Sequence, residues 1–222
     1  MFAAHNMGDT IKMAELKEQI EKALAELRKE KERKFDQTVD LIVNLQKFDV
    51  KKANTNLAIS IPHKIRDKKM CAFLDARNKN VDTIIKEDFK DYKDKKSLKN
   101  LVNKYDFFIA QASVMPAVAT TFGRVLGPAG KMPSPQLGII INADDKVINE
   151  LKEKVNNSVR IKIKEASIKV PIGKVSMKNE DVAENILVVY NHILKELPKN
   201  KDNIKNIEVK FTMTKPIKIK IR

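Results

Sequence analysis

The sequence contains one cysteine, no tryptophan and only six glycines in 222 residues. A lone Cys71 excludes an intramolecular disulfide framework and any metal site built from several cysteines. Its neighbours in Met70–Leu74 are apolar, so we expect a buried thiol rather than a reactive one. The low glycine content excludes a collagen-like chain.

Long apolar runs are also missing. No stretch approaches the roughly 20 apolar residues that a membrane-spanning helix needs. Residues 1–7 lack a basic region followed by an apolar one, so no secretory signal is predicted. We therefore expect a cytoplasmic protein without a membrane partner.

Catalytic and metal-binding patterns are scarce. The histidines, His5, His63 and His192, have no partner at metal-ligand spacing. The pair Asp144 and Asp145 is more typical of a helix cap than of two carboxylates in acid–base catalysis. We therefore predict a protein that is not an enzyme and that binds no metal or cofactor.

Residues 123–135 hold three of the six glycines and three of the eight prolines. The segment is not a Walker A motif, because Lys131 is followed by methionine and the position five before Gly130 is Val125. We interpret it as a loop whose turns are fixed by glycine and proline. Arg124 and Lys131 could contact a phosphate or a domain interface.

The net charge of the chain gives the first indication of what the protein binds. Basic residues number 44 and acidic residues 29, a net charge of +15, while 42% of the residues are hydrophobic. This composition excludes a disordered basic tail and indicates a folded protein with a basic surface. Such a surface suits a nucleic acid first and an acidic membrane second.

The hydrophobic period changes along the chain. Apolar residues at helical spacing predict a helix from about Asp9, with an Asp-Thr cap, to Arg33, and another over 180–197. Alternating apolar and polar residues predict half-buried strands on both sides of the chain's middle, at 39–45, 57–61, 159–163, 168–172 (broken by Pro171), 207–211 and 217–221.

The middle of the chain has a different pattern. Short continuous apolar runs at 70–74, 81–85, 107–110 and 139–141 alternate with helical patterns at 98–105 and 147–155. Such alternation predicts a parallel α/β sheet. The six residues between the first two runs are fewer than a parallel crossover usually needs, which leaves the sheet order open.

We therefore predict a fold of mixed α/β and α+β class with two domains. Residues 1–63 plus 159–222 form a discontinuous α+β domain with an antiparallel sheet, and residues 64–158 form an inserted α/β domain. The discontinuous part has 26 basic and 17 acidic residues, net +9, and the insert has 18 and 12, net +6. The discontinuous part is therefore the stronger candidate for polyanion binding.

Several segments of that part carry RNA-binding chemistry. Phe35 beside Lys34 could stack on a base, or could instead be a core residue that fastens the helix to the sheet. Threonine hydroxyls in the turn 212–216 could reach a sugar-phosphate backbone. Lysines on the outer face of predicted strands could bind phosphates, with no acid among those of the last strand: Lys162, Lys164, Lys169, Lys215, Lys218 and Lys220.

Four segments occur in the order found in a known family: KFDQTV at 34–39, VLGPAGKMP at 125–133, VPIGKVS at 170–176 and TMTKP at 212–216. The chain resembles the family of large-subunit ribosomal protein one, the protein of the mobile side stalk, in its archaeal branch. The match extends from about Lys34 to the C-terminus. The family usually has glycine at the position of Thr214, where a positive φ would be costly for threonine.

The resemblance implies the same split architecture, with a Rossmann-like three-layer insert. It implies binding to the side-stalk region of large-subunit rRNA, help in releasing deacylated tRNA from the exit site, and repression of the protein's own mRNA in some members. With the lysines above, the implied RNA-binding residues are Lys34, Phe35, Thr38, Lys174, Thr212, Met213 and Thr214. The implied hinge or interdomain loop contains Gly123, Arg124, Gly127, Pro128, Gly130, Lys131 and Pro133.

An alternative from another class is an RNA-processing factor that uses the α/β insert to bind a nucleotide. Saturable binding of ATP or NAD by the pure protein would favour this alternative. Binding to the large ribosomal subunit would favour the first reading.

Overall fold

The computed structural model describes residues 3–30, 33–48, 56–92, 94–135, 137–141, 144–163 and 165–219. By its internal contacts the chain divides into two compact units, Met1–Ile65 with Asn157–Arg222, and Arg66–Asn156. These limits lie within two residues of the predicted domain borders. That the units are separate domains joined by a hinge stays a prediction. In the ranges described, no helix combines the length and apolar character of a bilayer span.

The first unit is built on a four-stranded antiparallel sheet. Its strands are β1 (Thr38–Leu45), β8 (Ser167–Lys174), β9 (Ile204–Phe211) and β10 (Ile217–Ile219), and they lie in the order β10-β9-β1-β8. In β1, the residues Val39, Leu41, Val43 and Leu45 are buried and alternate with half-exposed ones. One face of the sheet is therefore core and the other is polar.

Two helices bury their apolar stripes in the core that the inner face of this sheet lines. They are α1 (Ala3–Arg28) and α5 (Asn179–Glu196). A two-stranded antiparallel sheet, β2 (Asn56–Ser60) with β7 (Ser158–Lys162), contributes Ile59 and Ile161 to the same core. The α+β character predicted for this part of the chain is confirmed.

The limits predicted for α1 were wrong at both ends. The helix runs through Asp9 and Thr10, because the residues before them include good helix formers such as Ala3 and Ala4. It ends at Arg28 rather than Arg33. Residues 28–34 are all charged, so none of them offers an apolar side chain that would hold a further turn on the core.

The predicted break at Pro171 is also wrong, since β8 is continuous. β8 is an edge strand of its sheet, where proline costs no ladder hydrogen bond. The register shifts so that Val39 pairs with Gly173 and Asp40 with Pro171, which leaves Ile172 as a bulge.

The second unit contains a parallel sheet, as the apolar runs predicted. Its elements in chain order are β3 (Met70–Leu74), β4 (Asp82–Ile85), a 3₁₀ helix (Lys86–Tyr92), α2 (Lys95–Lys104), β5 (Phe107–Gln111), α3 (Met115–Ala129), β6 (Ile139–Ile140) and α4 (Asp145–Asn156). The strands lie in the order β4-β3-β5-β6. Separate apolar clusters lie on the two faces of the sheet, one shared with α2 and α3 and the other with α4, so helices cover both faces.

The strand order that the sequence left undecided is now clear: β3 and β4 are neighbours joined by a short link. β3 and β4 are parallel neighbours, although only residues 75–81 connect them and no helix intervenes. The link suffices because the paired segments, Cys71–Leu74 and Asp82–Ile85, are about 10 Å long and seven extended residues span roughly 23 Å. Cys71 in this sheet is fully buried, and burial raises the pKa of its thiol to about 12, as expected for an inert cysteine.

The interpretation of residues 123–135 as one loop was wrong for its first half. Gly123, Arg124, Gly127 and Pro128 lie in α3, which buries Val118, Phe122 and Leu126 at helical spacing. Pro128 lies in the last turn of α3, and Gly130 ends the helix with a φ of 69°. Lys131 and Pro133 lie in the loop that follows.

Candidate RNA-binding site

Most of the predicted RNA-binding residues meet at one end of the four-stranded sheet. Thr38 begins β1 and pairs with Lys174 at the end of β8, while Val39 pairs with Phe211, the last residue of β9. The turn 212–214 therefore lies beside the start of β1. We call this group the sheet-end site; its members are Lys34, Phe35, Thr38, Lys174, Thr212, Met213, Thr214 and Lys215.

The Thr212 hydroxyl joins the turn to β1. It accepts a hydrogen bond from the Thr38 backbone N–H at 3.0 Å and donates to the Thr38 carbonyl oxygen at 3.4 Å. The structure gives this hydroxyl a positioning role, and the RNA contact predicted for it stays a prediction.

The turn itself is closed without strain. Among the described residues, the non-glycines with positive φ are Lys47 and Asn200, so Thr214 does not need glycine's freedom. Its backbone N–H donates to the Phe211 carbonyl at 3.2 Å, and its hydroxyl accepts from the Phe211 N–H at 2.9 Å. Threonine at this position therefore carries no cost from a positive φ.

Two positioning residues escaped the sequence analysis, although both lie inside the 34–39 segment. Gln37 is only 7% exposed; its side-chain oxygen accepts from the Met213 N–H at 3.1 Å. Its carbonyl accepts from the Val175 N–H at 2.9 Å. Gln37 thus holds both neighbouring segments against β1.

Asp36 is the second positioning residue. Its carboxylate accepts hydrogen bonds from the N–H and hydroxyl of Ser176, at 3.1 and 3.0 Å, and pairs with the Lys174 ammonium at 3.2 Å. Partial desolvation raises the pKa of Asp36, but these hydrogen bonds outweigh it and the pKa lies below its usual value. Asp36 therefore stays charged and orients Lys174.

Two large apolar side chains are exposed here. Phe35 is 52% and Met213 58% exposed. The alternative of Phe35 as a core residue is therefore wrong. An exposed ring held at the entrance of a strand is suited to stacking on a base.

The lysines predicted to bind RNA differ in whether an acidic side chain pairs with them. Lys34, Lys215 and Lys218 are exposed and form no ion pair within the part of the chain that the structure describes. Lys169 lies 3.8 Å from Glu165. The last strand itself carries no acid, as expected, but Lys218 lies opposite Glu208 of the neighbouring β9.

Lys215 lies in the segment before β10 rather than on it. Lys164 and Lys220 lie outside the described residues, as does the side chain of Lys162. Within the described ranges, no group of three histidine, cysteine, aspartate or glutamate side chains could hold a metal ion.

The structure gives Lys131 a helix-capping role that the sequence did not predict. Its ammonium donates to the carbonyl oxygens of Val102 and Tyr105, at 2.7 and 2.8 Å, and so caps the C-terminal end of α2. The ammonium is thus engaged inside the second unit. The hinge role implied for this loop stays a prediction.

The sequence is similar to those of known ribosomal proteins. Residues 27–215 match the profile of the ribosomal protein L1p/L10e family. A protein of Nanoarchaeum equitans named large ribosomal subunit protein uL1 is 36% identical, with 91% of this chain and 98% of the relative covered. A protein of the same name from Pyrobaculum neutrophilum is 33% identical over 96% of this chain and 97% of its own length.

A third protein of that name, from Methanocorpusculum labreanum, is 32% identical over 93% of this chain and all of its own length. The resemblance to the archaeal branch is thus confirmed. The family is one of ribosomal proteins, which also confirms the prediction that the chain is not an enzyme. The chain belongs to the ribosomal protein L1p/L10e family.

Proposed function

We propose that this protein is a structural constituent of the large ribosomal subunit in the cytoplasm and binds large-subunit rRNA through the sheet-end site. The finer proposal is that it holds the side-stalk region of that rRNA, assists release of deacylated tRNA from the exit site, and can repress translation of its own mRNA by binding a similar RNA structure.

The observation that carries the proposal is the convergence of chemically distinct groups on one surface. An exposed ring and thioether, Phe35 and Met213, lie beside the hydroxyl of Thr212 and the cations Lys34 and Lys215. RNA recognition combines stacking on bases, hydrogen bonds to sugar or phosphate, and ionic contact with phosphates. The sheet-end site offers all three.

The test is a comparison of two deproteinised RNAs. We expect the full chain to bind large-subunit rRNA more tightly than small-subunit rRNA of similar length at moderate salt. Equal affinity for the two RNAs would contradict the proposal, because a diffuse basic surface gives no preference between polyanions.

The geometry of Lys131 argues against the nucleotide-binding alternative. Lys131 follows Gly130 as the lysine of a phosphate-binding loop would, but its ammonium is bound to the carbonyls of Val102 and Tyr105. Saturable ATP or NAD binding by the pure protein would instead favour the nucleotide-binding alternative.

Replacement of Thr212 tests the hydroxyl. Thr212→Val removes the acceptor of the Thr38 N–H without changing charge. We expect rRNA binding to weaken by about 1–3 kcal/mol, with an unchanged slope of log affinity against log salt. Thr212→Ser keeps the hydroxyl and should bind like the parent. Parent-like binding by a folded valine variant would remove the turn from the RNA site.

Two lysine variants separate free from paired cations. Lys215→Gln removes a cation that has no acidic partner among the described residues, so the salt slope should fall by roughly one unit for every RNA. Lys169→Gln removes a cation that Glu165 already partly neutralises at 3.8 Å, and its effect should be smaller. Equal effects of the two variants in salt titrations would mean that the charges act only as a diffuse field.

A further inference from the structure

A second group of lysines lies at the opposite end of the four-stranded sheet. Lys47 follows β1, Lys199 precedes a 3₁₀ helix (Asn200–Asn203), and Lys205 is the second residue of β9; all three are exposed. Because β1 is eight residues long, this end lies about 24 Å from Thr38. We call these residues the distal lysine group.

A buried amide fixes the group. Asn203 is 1% exposed; its side-chain nitrogen donates to the carbonyls of Gln46 and Lys47, both at 3.2 Å. Its side-chain oxygen accepts from the Lys199 N–H at 2.7 Å. The backbones of Lys47 and Lys199 are thus held side by side by one side chain.

Irregular backbone presents the lysines to solvent. Lys47 has a φ of 52°, in the left-handed region that favours glycine or asparagine. Asn44 of β1 pairs with Asn206 of β9, but Leu45 pairs with Ile204, so Lys205 is the extra residue of a bulge in β9. Bulges redirect side chains. Nothing in the fold requires lysine at either position.

The group is cationic and has no apolar component. None of its three members forms an ion pair with another described residue, although the exposed Asp202 is close in sequence. The large apolar side chains that the structure places on the surface are Phe35, Ile141, Val147 and Met213, and none belongs to this end of the sheet. Such a group binds a partner through its charge, as lysines bind the phosphates of a nucleic-acid backbone.

We propose that Lys47, Lys199 and Lys205 form a second, sequence-independent contact to the phosphates of the RNA that the sheet-end site recognises. The inference rests on the proposed function for the identity of that RNA. The sheet-end site selects the RNA, and the distal lysine group adds affinity that depends on salt.

The test uses the full chain and deproteinised large-subunit rRNA. The triple variant Lys47→Asn, Lys199→Gln, Lys205→Gln keeps a residue that tolerates positive φ at position 47. The matched control, Lys90→Gln, Lys96→Gln, Lys99→Gln, removes equal charge from exposed positions of the second unit. We expect the salt slope to fall by roughly two to three units in the distal variant and to stay at the parent value in the control.

The preference for large-subunit over small-subunit rRNA should survive in the distal variant, and its hydroxyl-radical footprint should lose a discrete set of protected nucleotides. A slope and footprint equal to those of the control would overturn the inference while leaving the proposed function intact. Absence of any rRNA preference in the parent would instead overturn the proposed function. Loss of binding to phosphatidylserine vesicles, with unchanged rRNA binding, would assign the group to a membrane and overturn the RNA contact.

Discussion

Replacement of Phe35 by alanine is expected to weaken binding to large-subunit rRNA by about 1–3 kcal/mol, which is roughly 5- to 150-fold. The ring is 52% exposed, so little core packing is lost and the melting temperature should stay close to that of the parent. The change is neutral in charge, so the salt slope should not move. Equilibrium binding across a salt series, together with thermal unfolding, measures all three quantities.

The control for Phe35→Ala is Phe35→Trp, which keeps a flat π surface at the same position. We expect it to retain most of the affinity. If tryptophan and alanine weakened binding equally while both proteins stayed folded, the ring would not stack on a base. A changed salt slope would show that the substitution had displaced Lys34 or Lys174 rather than removed a stacking contact.

The members of the sheet-end site could be named from the sequence, but their assembly could not. Phe35, Thr38 and Thr212 stood out by residue type and by resemblance to the family. Thr38 and Thr212 are 174 positions apart, and only the register of β1 with β9 makes them neighbours. Register depends on which residues of three strands share the core, a tertiary property that alternation within one strand does not fix.

The positioning residues were hidden for a related reason. Asp36 and Gln37 lie between a charged helix end and a strand, where polar residues usually face solvent. Gln37 is buried only because the turn 212–214 and the segment after β8 close over it. A polar residue in a loop gives no local sign of this. The same holds for Asn203, whose three partners come from two separate segments.

The structure of residues 123–135 was mispredicted for a different reason. Its glycines and prolines suggested a loop, yet the helical spacing of Val118, Phe122 and Leu126 continues into it. Burial of that stripe against the parallel sheet outweighs the weak helix propensity of Gly123 and Gly127. Composition therefore misled, whereas periodicity, applied across the segment, would have given the helix.

Gly138→Ala is expected to destabilise the second unit by about 1–3 kcal/mol, because an added methyl group has no room. A Cβ at this position would lie 3.0 Å from the Cα of Pro133 and the nitrogen of Ser134, and 3.2 Å from the Phe108 carbonyl oxygen. These are backbone atoms, so the loop itself must move. That movement strains the hydrogen bonds from the Gly138 N–H to Ser134 and from the Ala110 N–H to Gly138.

Gly123→Ala is the matched control for Gly138→Ala. Gly123 lies inside α3, and beyond its chain neighbours and the adjacent helix backbone no atom lies within 4 Å of an added Cβ, so alanine should stabilise the helix by about 0.5–1 kcal/mol. Gly127 is unsuitable, because a Cβ there would crowd the following Pro128. Denaturant unfolding should therefore give shifts of opposite sign for two identical chemical changes. Both variants should bind rRNA like the parent, since neither residue belongs to the sheet-end site. A stability shift of the same sign would mean that the loop after α3 yields to the methyl group, and lost rRNA binding would place that loop in the RNA-binding surface.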